Sequence, residues 1–191
     1  MDKILECASN YKKLTNVRYN MVIGRKGKAV KIVLDFDESN FHHLLGLHKL
    51  TDLVGIASGN RKKIFNQILG KSITAAQIQK SDFFDKLESR IDPLCNLEKL
   101  LDTNEIVFRY NEKLHTFSVI KADFLLSTPL NNRDTYIFLS NEKDDNYFCR
   151  SLFYETNIDY TSRQPKYTLL YKEKINISTG ETEVQYDRLK K

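Results

Sequence analysis

Three of the four histidines in this 191-residue chain, His42, His43 and His48, fall within seven positions of one another. They sit in the run Phe41-His42-His43-Leu44-Leu45-Gly46-Leu47-His48-Lys49-Leu50. An imidazole titrates near pH ~6.5, which makes it the side chain best matched to moving protons at neutral pH. Read as one helix at about 100° per residue, the run places His43 on the arc of Leu47, Leu50 and Val54. His48 then falls beside Phe41, Leu44 and Leu45, while His42 shares the more polar side with Gly46 and Lys49. His43 and His48 come out about 140° apart, too far round the helix to hold one metal as an i, i+4 pair does. The alternative for either is a core histidine hydrogen-bonded to a backbone carbonyl. Gly46 inside such a helix costs about 1 kcal/mol relative to alanine, which close packing by another backbone would explain. No metal set or cofactor is expected: GxSxG, HExxH, a strand-linked GxGxxG and a DxD-rich calcium loop are all missing. Asp35, Asp37 and Glu38 cluster, but at a strand-to-helix junction they read as caps.

A second kind of chemistry is suggested by cations. The chain carries 30 Lys and Arg against 25 Asp and Glu. Between Cys7 and Leu34 stand Lys12, Lys13, Arg18, Arg25, Lys26, Lys28 and Lys31 without one acid. Such a stretch attracts phosphate polyanions through a sequence-independent field, although a solvated basic face has the same composition. The RKGK turn does not satisfy GxxxxGK[ST] and reads as a turn. Further on, alternation puts Ile120, Ala122, Phe124 and Leu126 on a core face and Val119, Lys121 and Asp123 on the other. Tyr147, Cys149, Ser151 and Phe153 share one side of the next strand; Phe148, Arg150, Leu152 and Tyr154 share its opposite. A sheet face bearing Lys, Arg, Ser and Tyr can hold a phosphate and its attacking hydroxyl, although pattern alone favours an ordinary wet sheet face. The segment Asp159–Tyr167 is a polar, aromatic and basic loop whose Tyr and Arg could stack on unpaired bases, or simply a solvated connection.

The elements that must position these groups change character half-way. Residues 2–14 have helical spacing, and RYNMVIG and AVKIVLDF form a hairpin about the glycine-bearing turn. Helices follow over FHHLLGLHKLTDLV, RKKIFNQIL with Gly70 as its stop, two stretches capped by Thr74 and Ser81, the second ended by Pro93, and LEKLLDT capped by Asn96. From Glu105 the period becomes 2, and IVFRYN, LHTFSVIKADFLLS, TYIFLS, NYFCRSLFYE, YTLLYKEKINI and TEVQY read as strands. Short turns between them predict an antiparallel meander. The expected fold is α+β, with an N-terminal β-hairpin and a helical half packed on a C-terminal antiparallel sheet. One domain over 1–191 is expected: a basic helix and hairpin over 1–35, helices over 36–104, the sheet over 105–191. Cys7, Cys95 and Cys149 are too scattered for a zinc knuckle or a disulfide framework, and a reduced cytoplasm suits them. No apolar run is long enough for a signal peptide or a membrane span. A helix-turn-helix regulator over 61–91 and an inactive accessory protein using a sheet edge are competing classes, though AAQIQKSDFF is poor in basic residues for a recognition helix.

Two stretches carry a family likeness. FDESNFHHLLGLHKLTDL (36–53), with ILGKSITAAQIQKSDFFDKLESRI after it, resembles a subtype, the fourth, of the phage-associated barnase–EndoU–colicin–RelE-like (BECR) nucleases. SLFYETNIDYTSRQPKYTLLYKEKI (151–175) resembles the closing strands of the same subtype, and the likeness spans roughly Asn16 to Ile177. It implies helices followed by an antiparallel sheet, in a phage- or mobile-element-encoded, toxin-like endoribonuclease that cuts RNA without a metal or cofactor. Carried to this chain, it makes His43 the leading acid or base and His48 the second, with Lys121 and Arg150 as phosphate clamps. Ser151, Thr161, Gln164 and Tyr167 would position substrate, with Arg25, Lys26 and Lys28 as further contacts. The partners implied are RNA, tRNA included, and a protein inhibitor or antitoxin, in the cytoplasm of a bacterial host. The extra strands and the N-terminal hairpin depart from the minimal fold of the group.

Overall fold

A computed structural model of the chain describes residues 2–115 and 118–189. The described residues form helices α1 (Lys3–Leu14), α2 (Glu38–Leu45), α3 (Val54–Ala57), α4 (Arg61–Leu69), α5 (Ala75–Ile78), α6 (Asp85–Cys95) and α7 (Leu97–Thr103). The strands are β1 (Val17–Arg25), β2 (Lys28–Leu34), β3 (Ile106–Arg109), β4 (Phe124–Leu130), β5 (Arg133–Lys143), β6 (Asn146–Tyr154), β7 (Lys166–Asn176) and β8 (Thr182–Asp187). The fold is thus mixed α and β, with all but two strands after the helices.

Strands β3 to β6 form the expected antiparallel meander. Strand β7 leaves it, pairing instead with β3 through Lys166–Thr168 and with β1 through Thr168–Asn176. The β1–β2 hairpin is therefore not an appendage in front of the sheet. It lies between β7 and β6 and closes a ring of seven strands, with β8 added on β7. The seam is the short parallel contact of Val33 and Leu34 with Asn146 and Tyr147. Closure removes two open edges, whose unpaired N–H and C=O groups would otherwise face water or another chain.

One face of the ring shares a core with the helices. Tyr19, Met21 and Ile23 of β1, Ile32 and Leu34 of β2, Phe124 and Leu126 of β4, and Ile137 and Leu139 of β5 meet Leu14, Phe41, Phe65, Leu87 and Leu101 there. Tyr11 packs between Phe36, Phe41 and Phe65 at centroid distances of 5.5–6.2 Å. The opposite face of β4–β6 is apolar as well. Leu125, Tyr136, Phe138 and Phe153 are covered there by Tyr110 and Tyr160. The wet, cationic sheet face expected from alternation does not form, for two local reasons. Strand β4 starts only at Phe124, so residues 118–123 are not strand and Ile120 and Ala122 join the second cluster. Thr116 and Phe117, part of that expected strand, lie outside the described residues. The second reason is a bulge at Arg150.

Two helical expectations and one about the cysteines also change. FHHLLGLHKLTDLV is not one helix: α2 ends at Gly46, whose φ of 92° is left-handed, and a 3₁₀ turn covers Leu47–Lys49. Pro93 sits inside α6, which runs on to Cys95. A proline two residues from the end forfeits a single backbone donor. Cys7 and Cys95 form a disulfide that ties α1 to the end of α6, although 88 residues separate them. Nothing local in the sequence marks that pairing, because it depends on two helices packing side by side. Cys149 is buried and free. At the end of α7, buried Lys172 donates to the carbonyls of Leu101, Asp102 and Asn104 at 2.9, 2.6 and 3.0 Å, giving orphan helix-terminal acceptors a cation.

Candidate active site

Apolar pattern alone fixes α2. Phe41, Leu44 and Leu45 are fully buried, and Asp37 caps the helix through the backbone N–H of Ser39. The left-handed Gly46 then turns the chain, and this break, not helical spacing, decides where the histidines go. His43 and His48 stack face to face, ring centroids 4.3 Å apart and planes 10° from parallel. Both are half-buried at the surface. The wheel reading that held them 140° apart fails because a helix stops between them. His42, assigned to the polar side, is only 2% exposed, with Nε2 2.7 Å from the carbonyl oxygen of Ile56. It is the structural histidine of the three.

The field around the pair is cationic. Burial, then Arg150, Arg90 and Arg61, with His42 last, push His43 down to about 4. Burial, then His43, Arg90, Lys49 and His42, push His48 down to about 4. Both rings are neutral at pH 7. Lys49, which follows His48 on the 3₁₀ turn, is pushed down to about 8 by burial, Arg90 and Lys86.

Two basic residues are placed by specific backbone devices. In β6, Ser151 pairs with Phe138 and Cys149 with Leu139, so Arg150 is the extra residue of a β-bulge. A bulge re-aims its side chain and reverses which neighbours face which way. Cys149 and Leu152 therefore join the helix-side core, and Phe153 joins the second cluster, against strict alternation. Arg150 is exposed and acts on His43. Arg90 of α6 is 8% exposed, with Nη1 donating to Leu44 O at 3.2 Å, Leu152 O at 3.3 Å and Ser151 Oγ at 3.4 Å. The structure thus brings together His43, His48, Arg150 and, through Arg90, Ser151.

The other expected contacts lie elsewhere. Lys121 lines a cleft with Arg109, Lys113 and Asp123. Gln164 is buried, accepting from the backbone N–H of Asn111 and donating to its carbonyl. Thr161 closes a turn on Asp159 through its N–H and hydroxyl. Tyr167 packs edge-on to Phe124 at 6.1 Å. Arg25, Lys26 and Lys28 are exposed at the hairpin turn, at the end of β2 away from its contact with β6. The recognition stretch of the helix-turn-helix reading forms α5, a single turn of four residues.

Comparison with protein families matches residues 3–189 to PBECR4, described as phage-Barnase-EndoU-ColicinE5/D-RelE like nuclease4. The chain belongs to this family. Comparisons with curated proteins and with solved structures each found no match. A PBECR4 nuclease acts on nucleic acid, and the cationic surround of the stacked histidines suits a polyanion. Among the described residues of this PBECR4 chain no group of three or more His, Cys, Asp or Glu has the placement to hold a metal ion. No helix among them is long and apolar enough to cross a membrane.

Sequence reasoning missed Arg90 in this PBECR4 site. A signal for it existed: Arg90 lies three residues after Leu87 and four before Leu94, both fully buried, so it interrupts the apolar stripe of α6. A charge on a core stripe is either paired or functional.

Proposed function

We propose that this PBECR4 protein is a metal-independent endoribonuclease that cleaves RNA by transesterification, with the His43–His48 pair moving the protons. The observation that carries this reading is the stacked pair itself: two adjoining, partly exposed imidazoles among Arg90, Arg150, Arg61 and Lys49. One neutral imidazole accepts the ribose 2′-hydroxyl proton while the 2′-oxygen forms a bond to phosphorus. The P–O5′ bond then breaks as the other imidazole, protonated, gives its proton to the leaving 5′-oxygen. The products are a 2′,3′-cyclic phosphate and a 5′-hydroxyl, with no net change in protons. His43, on which Arg150 acts as well as the Arg90 that acts on both rings, is the assigned base, and His48 the acid. Arg150, aimed by its bulge, faces the charge of the phosphorane, and Ser151 positions Arg90. Lys121, Thr161, Tyr167 and the Arg25–Lys28 turn would serve only as outlying contacts to a long substrate such as tRNA, while Gln164, buried with both amide atoms on Asn111, would hold its loop in place.

Substrate of this kind is met in the cytoplasm of a bacterial host, where Cys7 and Cys95 would stand as two buried thiols. An active enzyme there endangers its producer, so an inhibitor or antitoxin is part of the reading. Harmless overexpression of active protein with no co-purifying partner would refute that part.

The test is total bacterial RNA incubated with the protein in EDTA, beside His43→Ala and His48→Ala checked for folding by circular dichroism. Discrete cleavage by the parent, ending in cyclic phosphates and lost in both folded variants, is expected. No cleavage by the parent, or full cleavage by a folded His43→Ala, refutes the proposal.

A further inference from the structure

Arg90 is a charge without a counter-charge. A guanidinium this deeply buried ordinarily sits against a carboxylate, because an uncompensated cation in a protein interior is costly. Arg90 forms no ion pair with any described carboxylate, and burial alone brings it down to about 10. Its only acceptors among the described residues, Leu44 O, Leu152 O and Ser151 Oγ, are neutral and all take Nη1.

The remaining edge is Nε with Nη2. Neither atom has a described acceptor, and neither is among the buried polar atoms sealed from solvent without a partner. This is the edge with which arginine holds two oxygens of a carboxylate or phosphate at once. A Cβ built on Gly46 would stand 3.1 Å from Cδ and 3.5 Å from Nε of Arg90. The left-handed turn that stacks the histidines therefore also lays the bare Gly46 backbone against the stem of Arg90, where a side chain would crowd it.

We propose that the open Nε–Nη2 edge of Arg90, beside Gly46 and the stacked histidines, is an anion site that takes the non-bridging oxygens of the scissile phosphodiester. The inference rests on the nuclease reading for its substrate class, while the anion site stands on Arg90 alone. A consequence follows for the acid. The charged groups acting on His43 are Arg90 of α6, Arg150 of β6 and Arg61 of α4, with His42 and His48 beside it. Those on His48 are His43, Arg90, Lys49 and His42. With the site vacant every one of them disfavours a second positive charge. A phosphate seated on Arg90 reverses that field and lets one ring take a proton from solvent. The acid is then formed only where the substrate already sits.

The experiment follows the ring signals of His43 and His48 by NMR across pH, in inorganic phosphate and in chloride of equal ionic strength. The full chain is used throughout. Phosphate is expected to move at least one ring's titration upward by about one unit or more, with a saturable shift of the Arg90 Nε–H signal. Arg90→Gln and Arg90→Lys are expected to abolish the phosphate effect. If both variants misfold, the wild-type Arg90 Nε–H signal decides alone. Titrations that move equally in chloride, or an Arg90 signal indifferent to phosphate, overturn the inference. A phosphate response without RNA cleavage upholds the anion site and refutes the nuclease reading. Cleavage without a phosphate response does the reverse.

Discussion

Replacing Gly46 by alanine discriminates between the two readings of the histidine segment, because they predict opposite signs. In a continuous helix the change would stabilise by about 1 kcal/mol, since glycine is the poorer helix former. In the structure Gly46 has a φ of 92° and serves as the left-handed cap of α2, its N–H reaching the carbonyls of His42 and His43. Holding an L-residue in that conformation costs about 1–2 kcal/mol. The added methyl would also stand 3.1 Å from Arg90 Cδ and 3.7 Å from Leu87 Cδ1, so the arginine must yield by a few tenths of an ångström. The expected result is destabilisation of about 1–2 kcal/mol, read as a urea midpoint lowered by roughly 0.5–1 M. Gly55→Ala is the control. Gly55 lies in α3 with open space where a Cβ would go, so its variant should be neutral or slightly stabilised. A Gly46→Ala protein as stable as its parent, or more so, refutes the left-handed cap and with it the stacking of His43 on His48.

Further expectations concern stability. Lys172→Met leaves three carbonyls at the end of α7 without their donor and should lower unfolding free energy by about 3 kcal/mol in urea titration; a loss below about 1 kcal/mol would show that water replaces the ammonium. His43 and His48 sit at about 4 in the folded chain against ~6.5 unfolded, so the unfolded chain binds more protons between those values. Their contribution to stability should therefore fall as pH drops from about 6.5 to about 4 and stay level above about 6.5; an unchanged slope in the His43→Gln, His48→Gln double variant would remove these two residues as its cause. The disulfide closes a loop across 88 residues, for which chain entropy predicts about 4–5 kcal/mol on reduction, measured as oxidised against dithiothreitol-treated urea curves. Coincident curves would mean the cysteines are unpaired in solution.

Much of the architecture was legible because local periodicity encodes it. Helix α1, the β1–β2 hairpin and the order of strands β3–β6 follow from apolar spacing and turn residues, although β4 runs Phe124–Leu130 into the stretch read as a turn. The histidine run and Arg150 were legible as chemistry by residue type alone. Their geometry was not, because single backbone irregularities decide it. A left-handed glycine looks in sequence like any glycine inside a helical pattern, and a bulge at Arg150 leaves no trace in an otherwise regular strand. Arg90 was hidden differently: in DKLESRI it reads as one more solvated charge until the burial of Leu87 and Leu94 fixes which side of α6 faces inward. The β1–β7 pairing and the Cys7–Cys95 bond join segments far apart in sequence, and no short window holds both partners.

The seam between β1 and β7 has a consequence for the order of events during synthesis. Residues 19–25 meet their β2 partners early, but residues 17–24 meet their β7 partners only after residues 168–176 have left the ribosome, so the ring cannot close before then. His43, His48, Arg90 and Arg150 are all translated before that moment. Pairing over so long a separation is slow to form. A nascent chain thus carries every residue of the candidate site while the scaffold beneath it is still open, and the producing cell gains an interval in which the site is encoded but not yet assembled.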